Sequence, residues 1–395
     1  MDAPDRRPEA LTVNYESGEI LVRLADGTEN RERSEAAAGS SEFRSSTIYP
    51  QAGLLELVAV GGDKLMVELA GDGPADGPRA NRTVIYLDQN MWRQIVDALN
   101  TPEAVRDGEL EPTLDLIGLA KQGRVLLPLS AGHMMETGPL YGERRVAVAT
   151  QMISLSRGWV MTHPLIVRFV ELLALFQEVP AATPELNICR FGLDYRLFFS
   201  EPQQSVDWDT PDETARRLID SVSGIQAIMA VLLEDEAEQS IAGQESTQNW
   251  ATEMSSFAVR LASERVPKEH RRAWTLDVVL GDLAHDVNKV AVLKSISVDD
   301  FDEWRRLRAD DELARMPAVG RYREILHHRL LDPKRRWLTS DLIDLVFLCS
   351  AAGYADHVVC EKRTGNDLRR LVDRVPPGAE IHTGISGLLS TLAVS

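Results

Sequence analysis

Six carboxylates stand at or near the ends of short apolar runs, where their spacing could do chemistry. Asp88 closes the β-type run TVIYLD at 83–88, with Asn90 just behind it. The run RVLLPL at 124–129 leads into SAGHMMETG, where Ser130 is placed to cap a helix and Glu136 falls on its second turn, able to turn back over a sheet edge. Asp341 and Asp344 are three apart at a helix start, so they share one face close to its N-terminus. Asp356 and Glu361 bracket the strand-like HVVCE. Open parallel sheets gather ligands outside the carboxyl ends of their strands, which draws Asp88, Glu136 and Glu361 toward one place and requires the helix at Asp341 to begin there too. Carboxylates converging with no Lys or Arg between them repel, and the usual relief is a hard divalent cation with oxygen ligands, Mg²⁺ or Mn²⁺. Such a site serves phosphate chemistry. The ion neutralises a phosphoryl oxygen, lowers the pKa of its water and, with a second ion about 4 Å away, braces the entering and leaving oxygens.

The elements that must position these acids are legible in outline. Residues 10–27 and 47–70 alternate apolar and polar positions with Gly turns, which predicts a small β-rich N-terminal unit over 1–80. Within it, ENRERSEAAAGSSEFRSS reads as a polar connector, and GDGPADGPRAN at 71–81 as the linker that closes it. Strand 83–88, helices over 91–99 and 114–121 and strand 124–129 alternate, so an α/β fold with a parallel sheet is expected over 81–164. Residues 165–335 change to helical periodicity. TARRLIDSVSGIQAIMAVLLEDEAE repeats Leu218, Val222, Ile225, Met229 and Leu232 on one core-facing stripe. From 336 to 395 the chain returns to α/β, with a helix through DLIDLVFLCSAAG capped by Thr339 or Ser340, the strand HVVCE and a last helix from about Gly365.

The succession VIYLDQN, LPLSAGHMMETG, WLTSDLIDL and GYADHVVCEK resembles the PIN domain, especially the PIN-like proteins of bacteria. The resemblance covers 83–160 and 335–375 and implies an α/β/α sandwich around a parallel sheet and a metal-dependent ribonuclease. It carries the family's strand-terminal Asp onto Asp88 with Asn90 as polar support, and its hydroxyl residue and Glu onto Ser130 and Glu136. The helix-start Asp falls on Asp341 or Asp344, and the last acid on Glu361 with Asp356 as an extra candidate. The implied metal shell is Asp88, Glu136, Asp341, Asp344, Asp356 and Glu361 around Mg²⁺ or Mn²⁺, with RNA as the substrate and a toxin or anti-phage role by the same analogy. The chain departs from the family in carrying Glu rather than Asp at 361, and in having the N-terminal unit and a large helical insertion over 165–335. That insertion is a substrate platform, a partner surface or a lid, and in the competing reading the chain is a scaffold that docks a protein partner there.

Basic residues flank the acids. RYREILHHRLLDPKRRW at 321–337 precedes Asp341, and Lys362 and Arg363 follow Glu361, so Arg335, Arg336, Lys362 and Arg363 are candidate phosphate contacts. The plainer reading makes these solvated helix faces, Asp88 and Asn90 helix caps, His133 a satisfied polar residue and Trp92 and Tyr354 core aromatics. A net charge of -18 opposes general binding to polyanions, so nucleic acid must be gripped locally or through metal. There is no phosphate-loop, dinucleotide, HExxH or nucleophile-elbow motif. Cys189, Cys349 and Cys360 are too scattered for a disulfide framework or zinc and read as buried thiols. No apolar run approaches the roughly 20 residues of a membrane span, and the N-terminus has no apolar signal segment, which together predict a cytoplasmic protein. A homo-oligomer is left open.

Overall fold

The N-terminal alternation folds as six antiparallel strands: β1 (Pro8–Asn14), β2 (Glu19–Leu24), β3 (Glu29–Arg33), β4 (Phe43–Tyr49), β5 (Leu54–Ala59) and β6 (Lys64–Glu68). Their order is β3-β2-β1-β4-β5-β6. This is a computed structural model, described over residues 7–35, 38–39, 43–62, 64–69, 82–137, 140, 142–176, 190–201, 222–229, 232, 241–371 and 373–393. The polar connector of the sequence reading is in part strand. ENRER forms the outer strand β3 with all five residues exposed, and charged side chains are what keeps such an edge from recruiting another strand. The linker at 71–81 and Cys189 and Leu218 lie outside the described residues.

The apolar run TVIYL is β7 (Thr83–Leu87), nearly all buried, as a strand covered on both faces must be. It is followed by α1 (Gln89–Asn100), α2 (Leu110–Lys121), β8 (Val125–Leu126), α3 (Ala131–Thr137), α4 (Gly142–Ser156) and β9 (Val160–Met161). RVLLPL is therefore shorter as a strand than its apolar length predicts: only Val125 and Leu126 pair with β7, and a single bridge from Leu129 to Val160 joins β9. The described residues of 165–335 are chiefly helical: α5 (Pro164–Leu175), a short strand β10 (Phe191–Gly192), α6 over 222–229, α7 (Ile241–Ser263), α8 (Lys268–Asp282), α9 (Ala284–Leu293), α10 (Val298–Leu307), α11 (Ala309–Ala314) and α12 (Pro317–Leu330). The chain ends with α13 (Ser340–Tyr354), β11 (His357–Val359), α14 (Lys362–Arg369), β12 (Glu380–His382) and α15 (Ile385–Leu392). β12 and α15 are additions to the single closing helix that periodicity suggests.

The second sheet is parallel in the order β12-β11-β7-β8, extended by the parallel bridge at Leu129 toward β9. The chain leaves β7 in one direction through β8 and β9 and returns on the other side as β11 and β12, so its direction of progress reverses between β7 and β11. Side chains alternate across this sheet. Val84, Tyr86, Val358 and Cys360 join the core built by Tyr322, Ile325, Leu345, Phe347 and their neighbours on α12 and α13. Ile85, Leu87 and Val359 join α1, α2 and α4 and the inner face of the N-terminal sheet at Leu55, Leu57 and Val67. Each such apolar side chain stabilises the fold by roughly 1.5–3 kcal/mol on burial.

Glu68 on β6 ties the two sheets. Its carboxylate accepts from Arg82 at 2.7 and 2.8 Å, from Arg157 Nε at 2.9 Å and from Trp159 Nε1 at 2.9 Å. Burial alone would raise its pKa, but these donors hold it below the usual carboxylate range. The end of the helical segment is fixed just as firmly: buried Glu171 of α5 accepts from Ala318 N and Val319 N at 2.8 and 2.7 Å, capping α12, and from Tyr354 Oη of α13. Of the expected core stripe, Ile225 and Met229 on α6 and Leu232 beyond it are buried, and Val222 is half-buried. Among the described residues no helix is long and apolar enough to cross a membrane.

Candidate active site

Asp88 follows the last residue of β7 and begins α1 with extended backbone, φ -65° and ψ 156°. One carboxylate oxygen accepts from Gln89 N at 2.9 Å and caps the helix; the other accepts from Glu361 N at 3.4 Å, across the strand boundary from the end of β11. Asp88 is thus both the cap of the plainer reading and a group fixed at the reversal point of the sheet, where open α/β folds bind ligands. Asn90 donates through Nδ2 to Glu361 Oε1 and accepts from Arg93 Nη1 at 3.4 Å. Asn90 is therefore not the cap, which is Asp88, and its bond orients Glu361.

Glu136 arrives on α3, and the approach of that helix depends on a glycine. The ring of Phe347 on α13 lies 3.0 Å from where a Cβ of Gly132 would stand, so any larger residue there would require the ring or α3 to shift. The contact brings Glu136 of one helix toward Asp344 of the other. Beneath them, Tyr86 Oη meets Ser130 Oγ at 3.0 Å, and His133 accepts at Nδ1 from Ser130 N at 3.1 Å while its Nε2–H donates to the Leu87 carbonyl at 2.7 Å. Burial lowers the His133 pKa to about 4, so it is a neutral strut stacked on Tyr86 and no base. Ser130 is itself wholly buried and supports this floor through its bonds to Tyr86 and His133.

Four carboxylates from four segments, Asp88, Glu136, Asp344 and Glu361, feel one another electrostatically. Glu136 is pushed up to about 8, first by burial and then by Asp344, Asp88 and Glu361, with Arg93 opposing. Asp344 is pushed up to about 7 by burial, then by Asp88, Asp341 and Glu361, with Arg329 opposing. Asp88 is raised by burial, which outweighs its two backbone donors. The expectation that no Arg or Lys stands among the acids needs one correction, since Arg93 is beside Asp88 and Glu136. Arg93, with Arg329 acting on Asp344 from its own ion pairs, does not balance the four carboxylates.

Two of the expected acids stand elsewhere. Asp341 turns away from the ring, accepting from Arg329 Nη1 at 3.0 Å and from Leu338 N at 2.7 Å. Asp356 accepts from Val84 N at 2.8 Å, at the amino end of β7, four residues and so ~13 Å of strand from Asp88. Strand direction decides this, because an acid before a parallel strand and an acid after it cannot share a site.

The basic residues separate in the same way. Arg321, Arg323 and Arg329 are buried, and Arg335 reaches Asp367 at 3.4 Å, so Arg335 belongs to an internal ion-pair network and not to a phosphate surface. Arg336, Lys362 and Arg363 are exposed, with Arg363 donating to the Arg336 carbonyl at 3.2 Å beside Glu361. Sequence reasoning missed Arg93, Gly132 and Tyr86; the spacing of Asn90 and Arg93 on one helical face was the only available signal, and it pointed at the first of these.

The ring suits a hard cation by donor chemistry: all its candidate ligands are carboxylate oxygens, and three of them, Asp88, Glu136 and Asp344, are held above the usual carboxylate range, first by burial and then by one another. No three of these carboxylates bring ligand atoms within 4.8 Å of one another; among the described residues only His357, Glu380 and His382 do. Mg²⁺ bound here would take one or two of the carboxylates directly and keep several of its waters. Comparison with protein families, curated proteins and solved structures finds no match to this chain.

Proposed function

We propose that the chain is a PIN-like phosphodiester hydrolase that cuts RNA using Mg²⁺ or Mn²⁺ held at Asp88. The observation that carries this reading is the meeting of Asp88, Glu136, Asp344 and Glu361 at the carboxyl ends of the parallel strands, where the sheet reverses direction. The mixed α/β architecture with a parallel sheet agrees with it.

Asp88 is the central ligand, because two backbone N–H groups fix its carboxylate. Glu361 is aimed by Asn90, and Glu136 and Asp344 supply the charge on the opposite side. When bound, the ion supplies charge neutralisation at a phosphoryl oxygen and an acidified water. Glu136 and Asp344, with pKa values of about 8 and about 7, are suited to hold or release a proton near neutrality in the free protein. Arg336, Lys362 and Arg363 would hold the phosphates flanking the scissile one, an attraction that weakens with salt.

The test is titration of Mn²⁺ into the wild-type protein and Asp88→Asn, with cleavage of labelled single-stranded RNA and DNA followed in parallel. The variant is expected to stay folded, to lose Mn²⁺ binding and to cut RNA more than about 100-fold slower. A wild-type protein that binds no Mn²⁺ at millimolar concentration and leaves both nucleic acids intact would make the chain a scaffold. Cleavage of DNA alone would overturn the choice of RNA.

A further inference from the structure

β12 carries a second constellation of different chemistry. Glu380 and His382 are two residues apart and so face the same side of β12, and the parallel register pairs Glu380 with His357 on β11. All three side chains share the sheet face of Val359. His357 Nδ1 and His382 Nε2 are 3.1 Å apart, and each lies 3.9 Å from a Glu380 oxygen. Thr391 of α15 donates to Glu380 Oε1 at 3.1 Å and holds the carboxylate toward the rings. Two nitrogens bound tetrahedrally at 2.0–2.1 Å stand about 3.4 Å apart, so the imidazoles already have close to the bite of one ion.

We propose that His357, Glu380 and His382 form a binding site for a borderline transition-metal ion, Zn²⁺ in the first instance, separate from the carboxylate ring. Two imidazoles and one carboxylate are a donor set that favours Zn²⁺ over Mg²⁺, the reverse of the preference of an all-oxygen ring. Only three protein ligands are present, which leaves a fourth position for water or another group. Access is open: Glu380 and His382 line a cleft of about 680 Å³ that also takes in Arg321, Arg369, Gly387 and Thr391. His357 begins β11 and Glu361 lies just beyond its end, about 13 Å of strand away, so the two sites are distinct. Because the ligands come from β11 and β12, and α15 braces one of them, a bound ion would clamp the edge of the sheet to its last helix.

Zn²⁺ itself is the probe, in a competition titration against a chromophoric chelator in millimolar Mg²⁺, on the full chain stripped of metal. Asp88→Asn is expected to retain one tight Zn²⁺ equivalent, and His357→Ala and His382→Ala to lose it. Since His382 is buried and its loss could unsettle the strand, exposed Glu380→Gln provides the second variant. It should stay folded by circular dichroism and bind Zn²⁺ about tenfold or more weakly. Co²⁺ added to the wild-type protein should give the intense visible absorption of a four-coordinate ion, and Glu380→Gln should alter it. The proposal is overturned if the wild-type chain takes up no Zn²⁺ in Mg²⁺, which would leave a hydrogen-bonded histidine pair. It is equally overturned if His357→Ala and Glu380→Gln bind Zn²⁺ as tightly as wild type.

Discussion

Asp341 and Asp344 leave α13 within one turn of each other and meet opposite surroundings. Asp341 enters a pocket where Arg329, itself buried, bonds it at 3.0 Å and Asp367 at 2.9 Å, with Arg335 also at Asp367. Asp344 turns into the ring with Asp88, Glu136 and Glu361, where the nearest cations are too few and its pKa climbs to about 7. Both regions draw carboxylates out of solvent, Asp341 fully and Asp88, Glu136 and Asp344 by half. In the first, each charge has a protein partner and the arrangement is structural; in the second, the missing positive charge is an opening for a ligand. An unbalanced set of half-buried acids is costly to maintain, and a binding role is a physical reason to keep one.

Removing the partner from the balanced region is expected to have the largest effect. Arg329→Met strands Asp341 and Asp367 without their shared cation, and breaking a buried pair in this way costs about 3–5 kcal/mol. Denaturant titration reads this directly, and a loss below about 1 kcal/mol would make the two regions energetically alike.

The unbalanced region should respond to pH with the opposite sense. Folding raises the Glu136 pKa from 4.5 to about 8, so the folded chain holds that proton more tightly and stability falls as pH rises across this interval. Glu136→Gln abolishes the titration. In EDTA the variant should equal wild type below a pH of about 4 and exceed it by about 2 kcal/mol above a pH of about 9, the figure being reduced for partial solvent screening. Mn²⁺ should stabilise the wild-type protein at the alkaline end and narrow that gap. A difference that does not vary with pH would mean that Glu136 is uncoupled from the ring.

Asp356 should give the smallest change. It is satisfied by Val84 N–H at the far end of the sheet, and an amide oxygen in Asp356→Asn can accept the same bond. Stability should shift by less than about 1 kcal/mol and cleavage by less than about twofold. If cleavage instead falls as steeply as in Asp88→Asn, the two ends of the sheet do not divide the acids as described.

Much of this arrangement is readable from local pattern. The apolar run TVIYL, ended by Asp88 and a helix, announces a buried strand with an acid at its carboxyl end. Ser130 before α3 and the periodic stripe on α6 are equally local. β3 escapes because ENRER has no apolar alternation to show: its pairing comes from the neighbouring strand β2. β12 escapes because three residues are too short to display a period.

What the sequence alone determined is the menu: the longer apolar and periodic runs that become strands or helices, and that acids fall at their ends. Those follow from side-chain periodicity and backbone sterics, which act within a few residues. Only the tertiary structure decided which acids meet. Asp341 and Asp344 are indistinguishable by spacing, as are Arg329 and Arg336, until Arg329 is buried between Asp341 and Asp367 and Arg336 is left in solvent. Charge interactions depend on distance through space and on exclusion of water, and both are set by segments far apart in the chain.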